Sequence, residues 1–129
     1  MLKILIADDN TMIRTIIKNT VERMDIEKEI FVAESSKQEK EIIENVMPNI
    51  VITDIIKDNN EHLKNGLEII KEYNNKRNSP IFLVVSGLNI EYEISKNKIE
   101  NVWKCFQKPF KSEEISKAIL DIANNISDC

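Results

Sequence analysis

Five charged or hydroxyl-bearing positions follow short apolar runs. Asp8-Asp9 follow Lys3–Ala7, Asp54 follows Asn49–Thr53, Ser86 follows Ile81–Val85, and Lys108 comes soon after Val102–Phe106. Three carboxylates in one place repel each other unless something neutralises them. A hard divalent cation with oxygen ligands does so, and magnesium typically takes one or two carboxylates together with waters and a phosphate oxygen. A hydroxyl and one lysine beside such a cluster suit a particular chemistry, the building and holding of a phosphoryl group on a carboxylate. The metal and the ammonium would offset the charge of the three phosphoryl oxygens.

These residues need elements to hold them, and the chain alternates strand-like and helix-period segments throughout. Lys3–Ala7, Glu29–Ala33, Asn49–Thr53, Ile81–Val85 and Val102–Phe106 are short, mostly β-branched or aromatic runs that read as strands. Between the first two, Met12, Ile13, Ile16, Ile17 and Val21 recur at helical spacing, with Asn10 or Thr11 as the N-cap. Ser36 to Val46 is a polar helix with its stripe at Ile42, Ile43 and Val46, stopped by Met47-Pro48. Lys57 to Asn65 lacks periodicity and reads as loop, after which Gly66 opens a helix carrying Leu67, Ile69, Ile70 and Tyr73. Asn89 to Asn97 is a weakly amphipathic helix, and Ser112 caps a last helix to about Asn125. Met12, Met24 and Met47 read as packing residues, and His62 as a solvated loop residue. Five such units imply an α/β fold, a doubly wound parallel sheet with helices on both faces. The near-continuous apolar strands agree, since strands buried on both sides lose their alternation. Ligands in such folds bind beyond the carboxyl ends of the strands.

Composition narrows the alternatives. The 129 residues suffice for one domain, taken as 1–129, with 42% hydrophobic and 31% charged residues, enough to bury a core. The net charge of -4 opposes binding to nucleic acid or an anionic membrane surface. Gly66 and Gly87 are too far apart for a phosphate-cradling or dinucleotide-binding glycine loop. Cys105, Cys129 and His62 cannot supply four ligands to a structural zinc, and two cysteines make no disulfide framework, so a cytoplasmic setting fits. No apolar run approaches the roughly 18 residues of a membrane span. The chain ends within a few residues of the last helix, leaving no room for an output domain within it, which fits either a stand-alone domain or the N-terminal domain cut from a longer protein.

Over essentially its full length the chain resembles the receiver domain of bacterial two-component response regulators. The resemblance is carried by Ile6-Ala7-Asp8-Asp9-Asn10, Ile52-Thr53-Asp54, Asn65-Gly66-Leu67, Val85-Ser86-Gly87 and Lys108-Pro109-Phe110, in that order. Each alone has a plain structural explanation, a helix cap or a turn. Their joint placement at successive strand ends has none. The resemblance implies a flavodoxin-like sheet ordered 2-1-3-4-5, which makes the first and third strands neighbours. It implies Asp54 as phosphoacceptor, Asp9 and Asp54 as direct Mg2+ (or Mn2+) ligands, Asp8 acting largely through water, and the backbone carbonyl of Ile56 as a further ligand. Ser86 matches the hydroxyl that moves to the phosphoryl group, Lys108 its lysine partner, and Pro109 a proline preceded by a cis bond. The implied partners are a sensor histidine kinase or phosphotransfer protein, and a second copy through the face of the fourth helix, fifth strand and fifth helix. The implied chemistry is self-directed phosphotransfer and autodephosphorylation, not turnover of a separate substrate.

Two departures stand out. The loop Ile55 to Lys64 is longer than usual and lacks a proline, and Cys105 occupies the place usually held by an aromatic or histidine rotamer switch. Among rivals, a flavin module would want a Ser/Thr/Gly-rich loop where Asp8-Asp9-Asn10 stands. A metal-dependent phosphatase or nuclease would want a general acid and a basic groove. A receiver-like scaffold that is never phosphorylated would typically lack one of the acidic residues or the lysine, and none is missing.

Overall fold

The computed structural model describes residues 1–54, 60–87, 94–95 and 98–127, with the backbone alone for 60–66 and Ser127. Its elements run β1 (Leu2–Ala7), α1 (Thr11–Glu22), β2 (Lys28–Ala33), α2 (Ser36–Val46), β3 (Ile50–Asp54), α3 (Asn60–Tyr73), β4 (Ile81–Ser86), β5 (Val102–Gln107) and α4 (Ser112–Ser127). The five strands form one parallel sheet in the order β2-β1-β3-β4-β5. This is the expected doubly wound, flavodoxin-like α/β fold. From β1 the chain goes out to β2 on one side and returns to β3 on the other, so the switch point lies between β1 and β3.

Alternation along the strands divides the core in two. Leu5, Ala7, Val51, Phe82 and Val84 face Ile43 of α2 and Leu67, Ile69, Ile70 and Tyr73 of α3. Ile4, Ile6, Ile50, Ile52, Leu83, Val85 and Phe106 face Ile17 and Val21 of α1 and Ile115, Ala118, Ile119 and Ile122 of α4. The same alternation puts Thr53, paired with Ala7 and Val84, on the α2–α3 side and Asp54, paired with Val85, on the other.

Several local expectations change. The helix assigned to Gly66 onward begins at Asn60, so Asn60 to Lys64 belongs to α3 and Gly66 lies inside it. The segment Asn60–Gly66 holds Glu, Leu and Lys, good helix formers, and no proline, so helix propagates into it without an apolar stripe. His62 is accordingly on a helix. Met12 and Met47 are 72% and 54% exposed and do not pack, whereas Met24 packs against the core. On α1 the buried residues are Ile17, Thr20 and Val21, and Ile16 is turned outward. Met47 caps α2 in the left-handed region at φ 54°, which directs its side chain away from the sheet. Ser112 is the first residue of α4, not the residue before it. Of the expected helix Asn89 to Asn97, Ile94 and Ser95 are described as helical and the rest lies outside the described residues.

Candidate phosphoacceptor site

Strand register brings the chemistry together. Ala7 pairs with Thr53, so Asp8 and Asp54 both come next along neighbouring strands. Asp54 pairs with Val85, Ser86 follows Val85, and Ser86 pairs with Gln107 immediately before Lys108. Residues separated by up to 100 positions therefore share the carboxyl edge of one sheet.

The β1–α1 turn is held by its own residues. Asn10, not Asp8 or Asp9, is the N-cap of α1, its Oδ1 accepting from the Ile13 N–H at 3.1 Å. Asp8 is 4% exposed, and its Oδ1 accepts from the Asn10 N–H at 2.8 Å. The Asp8 carbonyl accepts from Arg14 Nη1 at 2.7 Å, while Arg14 Nη2 donates to Glu34 at 3.2 Å. Arg14 thus ties the turn after β1 to the turn after β2. Asp9 is exposed.

Asp54 has its carboxylate fully buried, and the Lys108 ammonium lies 2.6 Å from its Oδ2. Lys108 is fixed through its backbone too, its N–H donating to the Ser86 carbonyl at 2.7 Å. The Lys108–Pro109 peptide bond is cis. Ser86 is 1% exposed, at the end of β4. Cys105 is half-buried on β5 against the α2–α3 side of the core, and Trp103 beside it is exposed. Ile56 lies outside the described residues.

Asp8, Asp9 and Asp54 line one narrow cleft, together with Ser35, Ser36 and Glu39 from the start of α2. Glu39 was not among the residues singled out from the sequence. Its Oε1 accepts from Thr53 Oγ1 at 3.3 Å, and burial pushes its carboxyl up to about 8. A signal for it exists, since position 39 falls with Ile42, Ile43 and Val46 on the apolar stripe of α2. A glutamate on such a stripe is out of place unless it has a polar task.

The donor set suits a hard divalent cation, being carboxylate oxygen throughout. Glu39 Oε2, buried and lacking a hydrogen-bond partner among the described residues, also suits a polar guest in the cleft. The free space is only about 10 Å³, room for roughly one water. Among the described residues no three acidic, histidine or cysteine side chains are gathered closely enough to hold a metal directly. The residues fit a cation by their chemistry, and taking one up requires the carboxylates to rearrange around it.

A family model, the response regulator receiver domain, matches residues 4–120. No curated protein matches the chain. Among solved structures, a response regulator receiver domain protein from Clostridium thermocellum is similar at 22% identity over 98% of both chains, with a TM-score of 0.80. A CheY-like receiver domain protein from Methanospirillum hungatei JF-1 is 23% identical over 100% of this chain and 99% of the other, with a TM-score of 0.77. The chemotaxis response regulator CheY4 of Vibrio cholerae is 19% identical over 95% and 98%, with a TM-score of 0.73. At these identities the structural likeness is one of fold.

Proposed function

The chain belongs to the response regulator receiver domain family, a family of signalling domains, and on that premise we propose that it accepts a phosphoryl group on Asp54 from a histidine kinase or phosphotransfer protein. The observation that carries this reading is the fully buried Asp54 carboxylate at the end of β3 with the Lys108 ammonium 2.6 Å away. In the transfer, a carboxylate oxygen of Asp54 forms a bond to phosphorus as the bond to the donor's imidazole nitrogen breaks. The imidazole leaves with the electron pair of that bond and takes up a proton. Lys108 passes from the Asp54 carboxylate to a phosphoryl oxygen, and the Ser86 hydroxyl approaches another. A divalent cation held by Asp8, Asp9, Asp54 and the Ile56 carbonyl would supply positive charge to the remaining oxygen.

The donor protein must present its phosphohistidine at the mouth of this cleft. A groove of about 440 Å³ lined by Ile13, Ile16, Pro109 and Phe110 opens beside Lys108 and offers an apolar seat for a donor helix. Cys105 holds the position of the rotamer switch. A thiol cannot gain the ~150–250 Å² of burial an aromatic gains, so displacing it contributes little difference between the two states. Readout then passes through Ser86 and the residues after it, or through Trp103, toward a partner or a second copy on the β5 edge.

Mass spectrometry after incubation with acetyl phosphate and Mg2+ tests the assignment. The wild type is expected to gain one phosphoryl group and Asp54→Ala none. Equal labelling of the two proteins removes Asp54 from the role.

A further inference from the structure

Glu39 has no part in the transfer described above, yet its position in the cleft is costly without one. The residue is 3% exposed. Its Oε1 is occupied by the Thr53 hydroxyl at 3.3 Å, while its Oε2 is buried with no hydrogen-bond partner among the described residues. A buried oxygen left unsatisfied costs of order 1–3 kcal/mol, and an apolar side chain at this place on the α2 stripe would avoid that cost. The same side chain lines the cleft with Asp8, Asp9 and Asp54.

We propose that Glu39 is a positioning residue of the cation site, its Oε2 accepting a hydrogen bond from a water bound to a hydrated divalent cation that Asp8, Asp9 and Asp54 hold. The proposal rests on the reading of this cleft as a cation site. A water-mediated role follows from how Glu39 is anchored. Thr53 ties it to the α2–α3 side of β3, and alternation turns Asp54 toward the opposite side. Magnesium keeps several of its waters and donates their hydrogens to surrounding carboxylates. Such outer partners orient the inner ligands and set affinity. Glu39 would thereby favour a small, strongly hydrated cation over one that sheds its waters.

The test is calorimetric titration of Mg2+, at a pH high enough to ionise the Glu39 carboxyl, into EDTA-stripped wild type, Glu39→Gln and Asp9→Asn. Gln keeps an acceptor for Thr53 but places an amide NH2 where Oε2 stands, so it cannot accept from a bound water. Affinity is expected to fall roughly 10- to 100-fold in Glu39→Gln, and further in Asp9→Asn. In the wild type the Glu39 carboxyl 13C resonance is expected to move with Mg2+ along the calorimetric isotherm, a measurement that needs no variant to fold. Unchanged affinity in Glu39→Gln with Asp9→Asn impaired, or a Glu39 resonance that stays still, overturns the role and leaves the cation site standing. Absence of Mg2+ binding by the wild type overturns the cation site itself, and the role of Glu39 with it.

Discussion

At Glu39 burial raises the carboxyl from its ordinary 4.5 to about 8, and the Thr53 hydroxyl offsets only part of that cost. Between those values the folded chain holds a proton that the unfolded chain has released. Folding stability from this group is therefore complete below pH ~4.5 and is lost as pH rises through about 8, by roughly 5 kcal/mol across the window. Glu39→Gln imitates the neutral acid and escapes the loss. Thermal melts in EDTA are expected to show Glu39→Gln gaining on the wild type from pH 5 to pH 8.5, with Asp8 and Asp54 common to both proteins. A difference that does not change with pH would mean that Glu39 is ionised throughout. The buried Asp54 carboxylate, unlike that of Glu39, has a cationic neighbour, the Lys108 ammonium 2.6 Å from its Oδ2.

Helix α1 shows what an element's pattern conveys and what it leaves out. Its spacing of Met12, Ile13, Ile16, Ile17 and Val21 correctly marks a helix, but two stripes fit that spacing. Docking against α4 and the sheet buries Ile17, Thr20 and Val21 and leaves Ile16 41% exposed at the edge of the groove beside Lys108. If that groove seats the phosphodonor, Ile16→Asp is expected to slow transfer from a histidine-phosphorylated protein by tenfold or more. Labelling by acetyl phosphate should not change and the melting temperature should fall only slightly, because Ile16 is not among the buried core residues. An equal slowing with both donors would place the fault in the cleft and not in docking. In α3 the legible part was Leu67 to Tyr73, whose apolar residues pack as read. Its first turns escaped because they have helix propensity without an apolar stripe.

For the whole molecule the gathered carboxylates set a balance between stability and binding. Asp8→Asn removes a negative charge while an amide oxygen can still accept from the Asn10 N–H. Its melting temperature without metal is expected to rise by a few degrees, for about 1 kcal/mol of relieved repulsion. Asp54→Asn removes a charge too, but it also breaks the 2.6 Å pair with Lys108, so no such rise is expected. Mg2+ at a hundred times its dissociation constant should stabilise the wild type by ~2.7 kcal/mol, and Asp8→Asn by less. A fall in the metal-free melting temperature of Asp8→Asn would show that the charge on Asp8 is structural.

Strand ends were legible from the amino-acid order alone. A strand buried on both faces is a nearly unbroken apolar run, and its end is marked to within a residue by Asp8 just past β1, Asp54 as the last residue of β3 and Ser86 as the last of β4. That local rule, with the succession of short motifs through Lys108-Pro109, was enough to identify the family and the candidate site. Which side of each strand faces which helix was not legible, because it depends on sheet order and register between segments far apart in the chain. Only the folded sheet brings Lys108 to Asp54 across 54 residues, turns Ile16 outward, and passes Glu39 from the stripe of α2 to Thr53 and the acidic cleft.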